Sequence, residues 1–234
     1  MPVLVATVQL PVEALAGPAD LCGVADRCVR EGADLLLTPE FAIGGLPHTE
    51  RDAQRRAVTV EQLQASARTL PGSLTVVLGF TERARAGLFS SAAVITSGRV
   101  VHVARKVFPR EPGLSAGDLA PVVQIGGVDV GILVCADATH PELAATLARS
   151  GARVLLCPLN NDMSAAHADQ WEEPTHAALR MRALEARCWV VSADVAGVRP
   201  GRRALGATRI VSPTGRTVAG AEGSLDVVIA EVAA

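Results

Sequence analysis

The chain has no tyrosine, and only six aromatic residues, two Trp and four Phe, among its 234. So few rings leave little material for stacking nucleobases. Acidic and basic residues nearly balance, 24 against 22, and no run of Lys and Arg stands out. Such a charge pattern excludes an electrostatic footprint for nucleic acid. No apolar run approaches the roughly 20 residues that span a bilayer. The N-terminus also lacks a basic segment leading into an apolar stretch and a cleavage site. The expectation is a cytoplasmic protein with neither nucleic-acid nor membrane partners.

Metal-ligand spacings are missing as well. The five histidines form no H-x-x-x-H or H-E-x-x-H pair, and the five cysteines no C-x-x-C. No metal and no cofactor is expected. The cysteine count is odd, and Cys22, Cys28, Cys157 and Cys188 lie in apolar or helical surroundings, so they read as buried thiols.

What is present is apolar. Hydrophobic residues make up 49 % of the chain and charged ones 20 %, which excludes disorder and allows one large domain over residues 1–234. Strands are predicted at 3–10, 34–38, 75–80, 91–96, 100–106 and 154–157, and again at 189–194, 207–212 and 226–232. A hairpin around Gly126-Gly127 joins 122–125 to 128–135. Helices are predicted at 18–31, 50–70, 141–149 and 173–187. Strands alternating with helices, with hairpins between, point to a layered α/β domain with buried sheets.

The chain is organised around Gly131-Ile132-Leu133-Val134-Cys135-Ala136-Asp137, followed by Thr139-His140-Pro141-Glu142. A buried strand runs into Cys135, and Pro141 suits the first turn of a helix. A thiol there would sit in fixed geometry near free N–H groups, with its thiolate favoured. A buried inert cysteine is the other reading. Glu40 and Lys106 likewise end apolar strands, Leu35 to Pro39 and Val100 to Arg105, where catalytic groups collect. Each alone reads as a solvated loop charge. Together with Cys135 they supply a base, a cation and a nucleophile, a complete set for acyl transfer.

These pieces resemble the nitrilase superfamily of carbon–nitrogen hydrolases. The matches are Pro39-Glu40-Phe41, Arg105-Lys106-Val107-Phe108-Pro109 and Gly131 to Asp137 with Pro141-Glu142. Gly151-Ala152, Trp171, Arg182-Ala183-Leu184-Glu185 and Pro213-Thr214-Gly215 follow in order. The resemblance implies an αββα sandwich and a homodimer acting on a small-molecule amide. It implies Cys135 as nucleophile, Glu40 as general base, and Lys106 with the N–H of Ala136 as oxyanion donors. Glu111 fits the family's second glutamate if one loop residue is missing. Asn160, with Asn161, follows the strand next to that of Cys135 and could line the pocket, or simply make a turn.

The sequence also departs from the family. Where enzymes acting on carbamoylated amino acids carry an Arg four residues after the nucleophile, this chain has Thr139, which cannot make a guanidinium's bidentate contact. Ala136-Asp137 replaces the Trp-Glu of true nitrilases, which favours amides over nitriles. The loop after Lys106 is clipped. An idle scaffold kept for binding and an acyltransferase with the same triad are the alternatives. Gly113-Leu114-Ser115-Ala116-Gly117 matches a G-x-S-x-G elbow but lacks the strand before it and the helix after it.

Overall fold

The computed structural model describes residues 2–13, 15–223 and 225–233. The first half supplies strands β1 (Val3–Pro11), β2 (Leu35–Leu37), β3 (Thr75–Ala84), β4 (Gly87–Thr96) and β5 (Arg99–Arg105), with helices α1 (Cys22–Arg30), α2 (Glu50–Arg56) and α3 (Val60–Ala67). Then come β6 (Val123–Ile125), β7 (Val128–Ile132), helix α4 (Pro141–Arg149), β8 (Val154–Pro158), β9 (Asp162–Ser164) and helix α5 (Ala165–Ala186). The chain ends with β10 (Trp189–Ala193), β11 (Val195–Arg199), β12 (Arg202–Leu205), β13 (Arg209–Val211), β14 (Thr217–Gly220) and β15 (Asp226–Val232).

Two sheets lie face to face. The larger runs β5-β4-β3-β2-β1 with β15 antiparallel along β1, and at Leu10 the ribbon β11-β12-β9 takes over as neighbour. The smaller runs β14-β13-β10-β8-β7-β6, with a parallel centre at β10-β8-β7. Strand alternation builds three cores from one sequence pattern. Leu35, Leu37, Val77, Val154 and Leu156 point between the sheets. Leu36, Val76 and Leu78 point out, against Ala25 and Cys28 of α1 and Leu63 and Ala67 of α3. Leu155 and Cys157 face the other way, against Ala144 and Leu147 of α4 and Leu179 and Ala183 of α5. The result is the αββα sandwich that the family resemblance implied. Among the described residues, no helix is long and apolar enough to cross a membrane.

Several boundaries differ from expectation. The helix predicted over 50–70 is two helices, because Val58 leaves the helical path and bridges to β3, donating to the Thr81 carbonyl and accepting from Arg83 N–H. Thr59 then restarts it with a capping box, its hydroxyl accepting from Gln62 N–H while the Gln62 side chain accepts from Thr59 N–H. The 18–31 helix opens as a 3-10 turn, Pro18–Leu21, before α1. Helix α5 begins at Ala165, capped by Ser164, rather than at Glu173. Pro174, which reads as a first-turn residue, sits inside it. The strand into Cys135 stops at Ile132. Cys22, expected buried, is half-exposed, its Sγ donating to the Thr69 carbonyl. Strands β9, β11, β12 and β14 are too short or too polar to show a period of two.

Candidate active site

The carboxyl ends of β2, β5, β7, β8 and β10 deliver Glu40, Lys106, Cys135, Asn160 and Asp194 to one end of the sandwich. Ligands in layered α/β folds bind at such ends. Glu40 and Lys106 are fully buried there. Lys106 Nζ donates to Glu40 Oε1 at 2.9 Å and to Glu111 Oε1 at 2.6 Å. The same Glu40 oxygen accepts from Ser90 Oγ at 2.6 Å, while Oε2 has no hydrogen-bond partner among the described residues. Glu111 Oε2 accepts from the N–H of Arg110.

Backbone geometry fixes these side chains. Glu40 N–H donates to the Leu159 carbonyl, and Asn160 Nδ2 donates to the Glu40 carbonyl, so the loop after β8 clamps Glu40 from the opposite sheet. Beneath it, Gly79 leaves room for the crossing chain: a Cβ there would stand 2.1 Å from the Pro39 carbonyl oxygen and 2.8 Å from Glu40 Cα. Gly79→Ala is therefore expected to cost roughly 1–3 kcal/mol through backbone displacement. A lowered denaturant midpoint at unchanged slope would show it.

Lys106 N–H donates to the Ser90 carbonyl, and its own carbonyl accepts from Gly117 N–H. The next two amides, Val107 and Phe108, donate to the buried carboxylate of Asp137, two residues past Cys135. The lysine loop and the cysteine turn are thus tied together. Cys135 has a φ of 50°, a left-handed conformation that is uncommon for a residue with a Cβ and characteristic of functional sites. It opens a 3-10 turn, Cys135–Thr139, whose first amides have no intrahelical acceptors.

Cys135 forms part of the wall of a cavity of about 600 Å³, which Lys106, Glu111, Asn160 and Met163 also line, with Trp171 from α5. Thr139 lines it too, but its hydroxyl donates to the Ala136 carbonyl at 2.7 Å. Asn161 lines it as well, with its backbone N–H and its side chain both donating to Asp194. Ser115 lies in a stretch without helix or strand, its N–H bonded to the Leu88 carbonyl, so the elbow reading of that segment fails.

Electrostatics correct one expectation. Burial, and then the charge of Glu40, push the Cys135 thiol well above its usual range, against the pull of Lys106 and the Asn160 amide. The resting residue is a thiol, not the stabilised thiolate that the strand-end position suggested. Burial also raises Glu40, to about 7, although Lys106 and Ser90 favour its ionised form. Burial alone would lower Lys106, but Glu40 and Glu111 outweigh it and hold the ammonium charged.

Sequence reasoning overlooked Ser90, Asp194 and the positioning role of Asp137. Asp194 ends an apolar strand just as Glu40 does, and four N–H donors hold its buried carboxylate. Composition carried a further signal. Lys106 is the only lysine in the chain, every other cation apart from histidine being Arg, and Asn160 and Asn161 are the only asparagines.

A family model described as carbon–nitrogen hydrolase matches residues 4–234. The chain belongs to the carbon–nitrogen hydrolase family. It is 31 % identical over 195 residues to a nitrilase of Pyrococcus abyssi, covering 79 % of this chain and 70 % of that one. It is 30 % identical over 118 residues to the deaminated glutathione amidase of Escherichia coli O157:H7, covering 50 % of this chain and 42 % of that protein. A match to protein YbeM of E. coli K12 spans 59 % of its length, so the chain aligns with about half of these two relatives. Among solved structures, a double mutant of the amidase from Nesterenkonia sp. AN1 in complex with acrylamide superposes with a TM-score of 0.82 at 23 % identity, covering 99 % of this chain and 91 % of that one. The NitFhit protein of C. elegans gives 0.83 at 19 % identity, over 99 % of this chain and 60 % of that one. At these identities the likeness is one of fold.

Proposed function

We propose that the protein is an amidase-type hydrolase that cleaves the C–N bond of a small amide through a thioester on Cys135. The observation that carries this reading is the buried Glu40–Lys106–Glu111 chain beside a cysteine in a left-handed turn at a cavity wall. Cys135 Sγ attacks the amide carbon as its proton passes to Glu40, whose Oε2 is uncommitted. Lys106 Nζ and the N–H of Ala136 hold the oxyanion, each donor worth on the order of 3 kcal/mol of barrier. The C–N bond then breaks, and Glu40 returns the proton to the departing ammonia or amine. Water, activated by Glu40, hydrolyses the thioester and releases the acid. Glu111 holds Lys106 in place from the cavity side, and Asn160 contributes to the wall while clamping Glu40.

Amides are favoured over nitriles because Ala136-Asp137 follows the cysteine, and over carbamoyl amino acids because the Thr139 hydroxyl is turned onto the Ala136 carbonyl. The cavity wall is chiefly aliphatic, with Leu159, Met163 and Ala178, which suits an apolar acyl group. The test is ammonia release from a series of aliphatic primary amides, with hydroxylamine added to intercept the thioester as a hydroxamate. The expected result is turnover and trapping in the wild type and neither in Cys135→Ala. Turnover by Cys135→Ala at the wild-type rate would overturn the assignment.

A further inference from the structure

The mechanism makes no use of Asp194, a fully buried carboxylate that forms no ion pair among the described residues. Other buried carboxylates have cations, Glu82 with Arg105 and Asp162 with Arg199 and Arg202. Asp194 instead takes four N–H donors, all at 2.9 Å. Its Oδ1 accepts from the N–H groups of Asn161 and Val195, and its Oδ2 from Asn161 Nδ2 and the N–H of Ala207. Only a side chain with two acceptor oxygens matches this set, since a side-chain amide offers one.

The donors come from three places where the chain crosses between the sheets. Asn161 lies between β8 and β9, Val195 opens β11 just after β10, and Ala207 lies between β12 and β13. Strands β8, β10 and β13 belong to the smaller sheet, and β9, β11 and β12 to the ribbon of the larger. One carboxylate therefore ties three crossings together. The first of them reaches the reacting groups. Leu159 N–H donates to the Ala193 carbonyl, so this crossing is fixed to the end of β10 on both sides of Asn160. From there the Leu159 carbonyl accepts from Glu40 N–H, and Asn160 Nδ2 donates to the Glu40 carbonyl. The main-chain amide of Asn160 reaches Cys135 Sγ. Asn160 and Asn161 both line the catalytic cavity.

A carboxylate buried without a cation is costly, and this one is spent on holding a loop whose inner side touches both the base and the nucleophile. We propose that Asp194 is a positioning residue for the reaction: through Asn161, its carboxylate holds the crossing after β8 down on Glu40 and Cys135 and keeps bulk water away from them. The role in turnover rests on the thioester reading above. The hold on the crossing does not.

The test is Asp194→Asn in the full chain, read by iodoacetamide labelling of the five cysteines and by amide kinetics. A loosened crossing lets water reach Cys135, whose thiol pKa is raised chiefly by burial. Its alkylation at pH 8 should therefore quicken, by about tenfold for each unit that the thiol pKa falls. Cys28, Cys157 and Cys188 are buried and should stay protected, as they would not in an unfolded chain. In parallel kcat should drop by about ten- to hundredfold, the scale of a small misplacement, while KM changes little because the apolar walls are intact. Should Asp194→Asn label at those three buried cysteines, Asn161→Ala decides by the same readings, because it removes only the side-chain donor at a half-buried position. In a variant that keeps the three protected, Cys135 labelled no faster than in wild type overturns the proposal, and so does a wild-type kcat. If the wild type hydrolyses no amide, the hydrolase reading falls, and the labelling still decides whether Asp194 holds the crossing over Cys135.

Discussion

Lys106→Met is expected to reduce kcat for amide hydrolysis by about 10²–10³, the usual effect of deleting one oxyanion donor, and to destabilise the fold. The two effects have separate causes. The ammonium is buried between two carboxylates, Glu40 at 2.9 Å and Glu111 at 2.6 Å. Removing one partner of a buried ion pair leaves an uncompensated charge and typically costs about 3–5 kcal/mol. Glu40 escapes part of that penalty by staying protonated, so the loss should be smaller at pH 5 than at pH 8, as melting curves at the two values will show. Lys106→Arg should not restore activity, because a planar fork cannot occupy the space of a compact ammonium. As the only lysine, Lys106 can also be followed by amine acylation: the folded protein should resist labelling at this residue, and the denatured chain should accept it. A Lys106→Met enzyme within tenfold of wild type would sink the oxyanion role.

How much of this was legible in the sequence depends on the range of the interaction concerned. Layer alternation is written locally, so Leu35, Leu36 and Leu37 or Val154, Leu155 and Leu156 disclose two buried faces without further information. Glu40 and Lys106 were visible because a charge closing an apolar strand is conspicuous, and Asp194 was open to the same rule. Ser90 was not visible. It is one hydroxyl in a mixed strand, and its importance comes from a contact to Glu40 fifty residues away in sequence. The thiolate expectation failed for a related reason. A turn and a helix start predict positive potential, but the Glu40 carboxylate and the depth of burial that reverse it arrive through tertiary packing. The break at Val58 follows the same logic, since a bridge to β3 overrides a helical period.

The pH profile should show which group moves the proton. A general base works only when ionised, and burial raises Glu40 to about 7. Activity should therefore fall about tenfold per unit as pH drops below that value, with kcat/KM reporting the titration of the free enzyme. Cys135 lies well above its usual range and stays protonated across this window. Ionisation of the thiol therefore does not produce the acid limb. Ser90 separates Glu40 from other candidates, because its hydroxyl bonds the Glu40 oxygen that also takes the lysine. That bond favours the carboxylate, so Ser90→Ala should raise the Glu40 pKa further and move the acid limb to higher pH. A hydrogen bond to a charged group is worth about 1.5–3 kcal/mol, which corresponds to roughly one to two pH units. Above its shifted limb the variant should recover most of its activity, which a misfolded site would not do. A wild-type limb near 4.5, or a Ser90→Ala limb that does not move, would mean that Glu40 works only as a counter-ion to Lys106 and that another group takes the thiol proton.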